Sequence, residues 1–177
     1  MSSHLPDQST GQRRLGKWLM LASWISLIIL LTMLFRSLLD DQYNPNTSPV
    51  VMSAEEGARE IVLQRNRHGH YVATGKINGH DVVFLLDTGA TAVAVPEQLA
   101  DQLGLQRGMP GVSRTANGNV QVWSTRIERI SLGGIEQRNV RASILPNMPA
   151  NEVLLGMSFL KHLELLQRGD QLTLRQY

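Results

Sequence analysis

Residues 82–90 read VVFLLDTGA, which sets Asp87, Thr88 and Gly89 at the end of an unbroken apolar run. A run that is apolar on both faces predicts a buried strand. Ending it in a carboxylate and a hydroxyl brings polar groups to the rim of a dry interior, where they must be hydrogen-bonded or be costly to keep. Gly89 offers a backbone that can turn sharply and come close to the carboxylate. A carboxylate held rigidly in a partly desolvated cleft suits acid–base chemistry. Asp-x-Gly is also common turn chemistry, so the triplet alone reads first as a surface turn. The flanks, VVFLL before and ATAVAV after, point the other way, because an exposed turn rarely joins two such apolar runs. The other acids in comparable positions look different. Asp81 sits beside the Asn78-Gly79 dipeptide, Asp101 lies in a helical stretch and Asp170 lies in a Gly-Asp turn; none follows an apolar strand or precedes Thr/Ser-Gly.

The elements that must hold this loop follow a β pattern from about Ala58 onward. Ile61 and Leu63 mark a first short strand, turned at Arg67-His68-Gly69-His70. YVATGKI follows, and Asn78-Gly79 is the strongest short hairpin signal. DVVFLL, the Asp87 loop and TAVAV come next, and Pro96 opens a helical stretch with Leu99 and Leu103 on one face and Gly104 as its stop. A second Asn-Gly, Asn117-Gly118, separates VSRTA from NVQVWSTRI, and Gly133-Gly134 divides that strand from IEQRNVRASIL. VLLG, a short helix over MSFLKHL, and the strands ELLQ and QLTLR complete the chain. The expectation is one small, mostly β, barrel-like domain with one or two short helices.

Ahead of that domain, Trp18–Phe35 reads WLMLASWISLIILLTMLF, and with Leu38-Leu39 it reaches the roughly 20 residues needed to cross a bilayer as a helix. A cleaved signal peptide has a shorter apolar core and a small-x-small cleavage site. Here the run is longer and is followed by RSLLDDQYNPN, so a retained signal anchor over 18–39 is predicted. Arg13, Arg14 and Lys17 precede the span and Asp40 and Asp41 follow it, which puts residues 1–17 in the cytoplasm and the remainder outside. Residues 40–57, polar and carrying Pro45 and Pro49, read as a linker with a mean span of roughly 25 Å.

Composition narrows the chemistry. The sequence has no cysteine, which excludes disulfides, thiol nucleophiles and Cys-ligated metals. Its five histidines show no metal-ligand spacing, and His68-Gly69-His70 reads as a polar hairpin turn; no metal or cofactor is expected. The overall charge of +2 comes from the N-terminal segment, because residues 40–177 hold thirteen basic and fourteen acidic residues. Nothing in that balance points to nucleic acid.

The hydrophobic-hydrophobic-Asp-Thr-Gly-Ala of residues 85–90, followed at a distance by Leu154-Leu155-Gly156 and a short helix, resembles the retroviral-type aspartic proteases. VLLGMSFL together with the anchor is more similar still to their bacterial relatives, single-domain, membrane-anchored proteases of the retropepsin-like clan AA. The resemblance covers residues 58–177. It implies a retropepsin-like closed β-barrel preceded by one N-terminal transmembrane helix. It implies Asp87 as the catalytic carboxylate, Thr88 as a hydroxyl that bonds across the cleft, and Gly89 as an N–H donor to the carboxylate, with Ala90 completing the active-site loop. Leu154, Leu155 and Gly156 match the strand that crosses beneath that loop; plain core packing is their other role, and the two are compatible. Family members cover the cleft with a hairpin flap, which here matches Ala116, Asn117, Gly118 and Asn119. Trp123 is then either a pocket wall or a core aromatic, and LTLRQY either a dimer-forming strand or an edge strand.

This chemistry needs two carboxylates, one ionised to take a proton from water and one protonated to polarise the scissile carbonyl. Two like charges about 3 Å apart cannot both ionise, so they share one proton. One Asp-Thr-Gly per chain therefore implies a homodimer with Asp87 of each copy facing across a two-fold axis. The expected activity is an aspartic endopeptidase of the bacterial inner membrane, its protease domain periplasmic, cleaving extended stretches of exported or membrane-proximal proteins without a cofactor. The alternative is a non-proteolytic peptide-binding or scaffolding module on the same fold.

Overall fold

The computed structural model describes residues 9–53, 57–115 and 118–177. It contains two compact units, Met1–Asp40 and Asp41–Tyr177. The first holds most of α1 (Ser9–Tyr43), whose 20-residue stretch Gly16–Phe35 is long and apolar enough to cross a membrane. Its large side chains, Trp18, Trp24, Leu30 and Phe35 among them, are exposed all round rather than along one stripe. A helix apolar on every face has no polar side to offer water, which suits a bilayer or a signal sequence.

The second unit is mostly β, as the residue pattern predicts. Its strands are β1 (Val51–Ser53), β2 (Arg59–Gln64), β3 (Val72–Ile77), β4 (His80–Leu86), β5 (Val93–Pro96), β6 (Pro110–Thr115), β7 (Gly118–Leu132), β8 (Ile135–Leu145), β9 (Val153–Leu155), β10 (Glu164–Arg168) and β11 (Gln171–Gln176). Two short helices interrupt them, α2 (Glu97–Gln102) and α3 (Met157–Leu160). Seven strands run in the order β3-β4-β9-β5-β8-β7-β6, and β3 also pairs with β7 through Lys76↔Ser131 and Ile77↔Ile130. That contact closes a six-stranded barrel and leaves β6 outside it as an edge. Closure removes free edges and encloses Phe84, Val95, Ile127, Ile130, Ile144 and Leu155, all fully buried. The Asn78-Gly79 turn between β3 and β4 has both residues at positive φ, 50° and 90°, as the right-handed twist of a two-residue hairpin demands. The Asn78 side chain also accepts the Arg129 N–H at 3.0 Å, tying this hairpin to β7 at the closure point.

Two expectations are revised. The apolar run of β4 predicts burial on both faces, yet the strand alternates: Val82 and Phe84 are buried while Val83, Leu85 and Leu86 are half-buried. A barrel wall has one inner face, and the outer side chains are only partly covered. The C-terminal strand β11 is not an edge, because it pairs with β2 on one side and β10 on the other. The four-stranded sheet β1-β2-β11-β10 leaves β10 as its edge there, with Leu166 exposed.

Within the stretch read as a linker, Asn44 and Asn46 are buried, and β1 pairs with β2. The Asn46 Nδ2 donates to the carbonyls of Gln64 at 2.9 Å and Val72 at 2.7 Å while its Oδ1 accepts the Gln64 N–H at 2.7 Å. This one side chain replaces the strand partner that β2 and β3 lack at that point. At the end of α1, the Tyr43 hydroxyl donates to a Glu152 carboxylate oxygen. Burial first, then this hydrogen bond and the negative charge of Glu152, push the phenol up from 10.0 to about 12.

Asn46→Ala takes the partner from the buried Val72 carbonyl and from two part-buried Gln64 backbone groups, so we expect it to lower the unfolding free energy of residues 41–177 by about 1–3 kcal/mol in urea titration. The folded unit holds the Tyr43 proton more tightly than the unfolded chain. Its contribution is therefore complete below pH 10 and lost as pH rises through about 12. Stability measured at stepped alkaline pH should fall across that window in the wild type, and Tyr43→Phe should lack this component of the fall.

Candidate active site

Asp87 leaves the end of β4 at the point where β4 runs parallel to β9, with Phe84↔Val153, Leu85↔Leu154 and Leu86↔Leu155 in register. The Asp87 N–H continues the ladder by donating to the Leu155 carbonyl at 3.2 Å. Within the loop, the Ala90 N–H donates to the Asp87 carbonyl at 3.2 Å, and the Gly89 N–H donates to Asp87 Oδ1 at 2.8 Å. One carboxylate oxygen is thus fixed by the backbone two residues on. Asp87 is half-buried.

Gly156 joins this loop to the second segment. A Cβ at that position would lie 2.3 Å from the Ala92 carbonyl oxygen and 2.7 Å from that of Ala90. Only a residue without a side chain lets the two backbones approach this closely. The Met157 N–H then donates to the Ala90 carbonyl at 2.8 Å. One residue on, the buried Ser158 hydroxyl accepts the Val93 N–H at 3.0 Å and donates to the Arg141 carbonyl at 2.7 Å. Leu155, Gly156, Met157 and Ser158 therefore hold residues 87–93 from below at successive points. Leu154 and Leu155 pair with Leu85 and Leu86 of β4, and Gly156 follows them against the carbonyls of Ala90 and Ala92. Leu155 is core, while half-buried Leu154 also reaches the cleft.

The cleft above Asp87 has a volume of about 850 Å³. Its walls come from the loop itself (Gly89 to Ala92), from Val112, Ser113 and Arg114 of β6, and from Arg141, Ser143 and Leu145 of β8. The β6–β7 hairpin that borders it pairs from Pro110↔Trp123 to Thr115↔Gly118. Of the residues expected at its tip, Ala116 and Asn117 lie outside the described residues; Gly118 and Asn119 open β7 and are exposed. Trp123 packs on the core with the Arg107 guanidinium 5.2 Å from its ring centroid, which makes it a core aromatic. Thr88 is exposed, and its side chain makes no hydrogen bond among the described residues. It borders a separate apolar depression of about 290 Å³ formed with Tyr71, Leu86, Leu160, Leu165 and Leu172. The β8 wall was not singled out from sequence. Its signal is faint: small and polar residues at alternate positions on the outer face of a long strand, whose meeting with Asp87 depends on the β5–β8 pairing.

The remaining candidate aspartates are engaged at the surface. Asp81 pairs with Lys76 at 2.6 Å, Asp101 with Arg107 at 2.9 Å and Asp170 with Arg65 at 3.4 Å. Because both backbone carbonyls facing Gly156 are immobilised, Gly156→Ala is expected to destabilise the unit by about 2 kcal/mol or more, read as a lowered denaturation midpoint.

The sequence profile of the gag-polyprotein putative aspartyl protease family matches residues 73–162, a stretch that runs from β3 through Asp87 to the turn after α3. An uncharacterized protein in the cobV 5' region of Sinorhizobium sp. is 37% identical over 129 residues, 71% of this chain and 55% of that protein. An uncharacterized protein of Rickettsia prowazekii (strain Madrid E) is 27% identical over 165 residues, 89% of this chain and 70% of that protein. The chain thus spans little more than half the length of the first of these relatives. Among solved structures, a retropepsin-like aspartic protease from Rickettsia conorii superposes with a TM-score of 0.56 at 24% identity, covering 73% of this chain and 94% of that one, which speaks to the fold. The chain belongs to this aspartyl protease family and is built on the retropepsin-like fold.

Proposed function

We propose that the protein is an aspartic endopeptidase whose reacting centre consists of two Asp87 carboxylates, one from each subunit of a homodimer. The observation that carries this reading is the placement of Asp87. It is a half-buried carboxylate with one oxygen held by a backbone N–H, at the floor of a large cleft, on a loop braced by β9 and α3. Asp81, Asp101 and Asp170 are each paired with a surface cation, and among the described residues that line the cleft Asp87 is the one acid. A second copy supplies the other carboxylate. The exposed Thr88 and the adjoining apolar depression, with half-buried Leu86 and Leu165, fit a surface that a like subunit covers.

In this reading the ionised carboxylate takes a proton from water as the water oxygen attacks the peptide carbonyl carbon. The protonated carboxyl donates to the carbonyl oxygen. The tetrahedral carbon then expels the amine, which leaves with a proton from the pair, and no covalent enzyme intermediate forms. Thr88, Gly89 and Ala90 shape the loop, Leu154, Leu155 and Gly156 support it, and the β6–β7 hairpin around 116–119 serves as the flap. A substrate binds as an extended strand, and the outer edge of β6 beside the cleft offers it main-chain partners. We place residues 1–17 in the cytoplasm, 18–39 across the bacterial inner membrane, 40–57 as the connecting stretch and 58–177 as a periplasmic protease domain. Membrane confinement raises the effective concentration of subunits for one another. The substrates are exported or membrane-proximal proteins.

The full chain in detergent micelles, assayed on a peptide library between mildly acidic and neutral pH, tests this. Asp87→Asn should lower cleavage by at least about a thousandfold with the fold retained by circular dichroism. Equal cleavage by both proteins would overturn the assignment, and no cleavage by either would favour a binding module on the same fold. Mixing wild type with an equal amount of Asp87→Asn before reassembly should leave about one quarter of the activity, because mixed dimers lack one carboxylate. One half would mean that each subunit acts alone.

A further inference from the structure

The cleft carries charge that the chemistry proposed above does not use. Among the described residues that line it, Asp87 is the one acid, and Arg114 and Arg141 supply two guanidinium groups. Neither arginine is in an ion pair among the described residues. By contrast Arg65, Arg107, Arg138 and Arg175 each meet a carboxylate at the surface. The imbalance is local, since residues 40–177 as a whole carry one more acidic residue than basic.

Arg141 has a second peculiarity. It stands directly opposite Arg126 across the β7–β8 ladder, and like charges in that relation destabilise a sheet. Arg126 is drawn toward Asn139, its guanidinium donating to the Asn139 carbonyl at 3.2 Å and to Oδ1 at 3.3 Å, with Asn139 held at φ 59°. Past Arg141 the outer face of β8 opens into a further depression of about 300 Å³. It is bordered by Arg126, Arg138, Lys161 and His162 and by no acid among the described residues. Arg141 lines both this depression and the Asp87 cleft. Leu145, Ser143 and Arg141 occupy alternate positions of β8, and the strand registers bring the Arg141 end rather than Leu145 level with the start of the Asp87 loop, so one face runs from an unpaired cation to apolar contact further along.

We propose that this track is a subsite for an acidic side chain, and that Arg141, with Arg126 behind it, selects polypeptides bearing Asp or Glu a few residues from the bond to be cleaved. A guanidinium fork matches a carboxylate in two parallel hydrogen bonds. An extended chain in the cleft presents alternate side chains to the β8 wall, and one that reaches Arg141 relieves the Arg126–Arg141 repulsion as it binds. The site is a specificity determinant and takes no part in the chemical step. It deepens the peptidase reading above and rests on it for the cleavage readout.

The test uses the full-length protein in detergent micelles and matched peptide sets in which each position flanking the scissile bond is Glu, Gln or Lys. At one position at least, kcat/KM for Glu should exceed that for Gln by about tenfold at low ionic strength, and the ratio should shrink as salt rises. Arg141→Glu should invert the Glu-to-Lys ratio at that position, with circular dichroism reporting its fold. If that variant does not fold, the salt dependence of the wild-type ratio still decides. Equal cleavage of Glu and Gln peptides at every position would overturn the proposal. Should the wild type cleave none of the peptides, fluorescence anisotropy with the same labelled sets separates the two ideas. Preferential, salt-sensitive binding of Glu peptides keeps the subsite while the peptidase reading falls, and binding indifferent to charge rejects the subsite.

Discussion

The parallel pairing of β4 with β9 is the contact on which the site depends. Each strand by itself is a short apolar segment that ends in a polar or flexible residue, Asp87 in one and Gly156 in the other. Side by side they bring the Leu155 carbonyl to the Asp87 N–H and seat Gly156 against the carbonyls of Ala90 and Ala92. From there Met157 and Ser158 carry the same bracing to Ala90 and Val93. A loop that must hold a carboxylate at the edge of a dry core has its backbone groups satisfied by a segment some seventy positions distant in the chain. The barrel closure through β3 and β7 keeps the two strands of that pair from sliding, because a one-residue slip would turn Phe84 and Leu155 out of the core together.

Once the loop is fixed, the cleft is made by what the barrel leaves uncovered. β6 adds to β7 outside the closed wall, and its free edge stands beside the outer face of β8. Side chains that point into the barrel are apolar and fully buried; those on the outer face of β8 are Asn139, Arg141, Ser143 and Leu145. The same alternation that builds the core therefore builds a graded wall, cationic at the level of Asp87 and apolar further along. A domain with near-balanced charge overall places two arginines that have no ion pair among the described residues in the cleft that holds Asp87. The opposite side of the Asp87 loop carries Thr88, Leu86 and Leu165, an apolar depression of a different kind. The loop thus separates a cleft lined by two arginines from an apolar depression.

Much of this was legible locally. Asn78-Gly79 specifies its hairpin through backbone conformation alone, and the all-round apolarity of Gly16–Phe35 needs no partner to be recognised. Asp87, Gly89, Leu155 and Gly156 were recognisable because their types and order carry a family pattern, and the fold bore out the barrel they imply. Other features were out of reach. Burial on one face of β4 depends on which strand covers it. The interior position of β11 depends on β2 and β10 flanking it. Asn46, in a polar and proline-bearing stretch that reads as linker, gains its role from two backbone carbonyls and an N–H brought to it by β2 and β3.

The division has a physical cause. Hydropathy, turn residues and a reactive carboxylate set in apolar flanks are properties of neighbouring residues, so the sequence by itself determined the apolar N-terminal helix, the mostly β character of the rest and the identity of Asp87 as the residue of interest. Which backbone groups satisfy that loop, and which charges share its cleft, are properties of pairs far apart in the chain. Arg141 and Asp87 meet across one cleft only because β5 lies between β9 and β8 in the sheet. Strand order is set by how the whole apolar surface is enclosed at once, and that decision belongs to the tertiary structure alone.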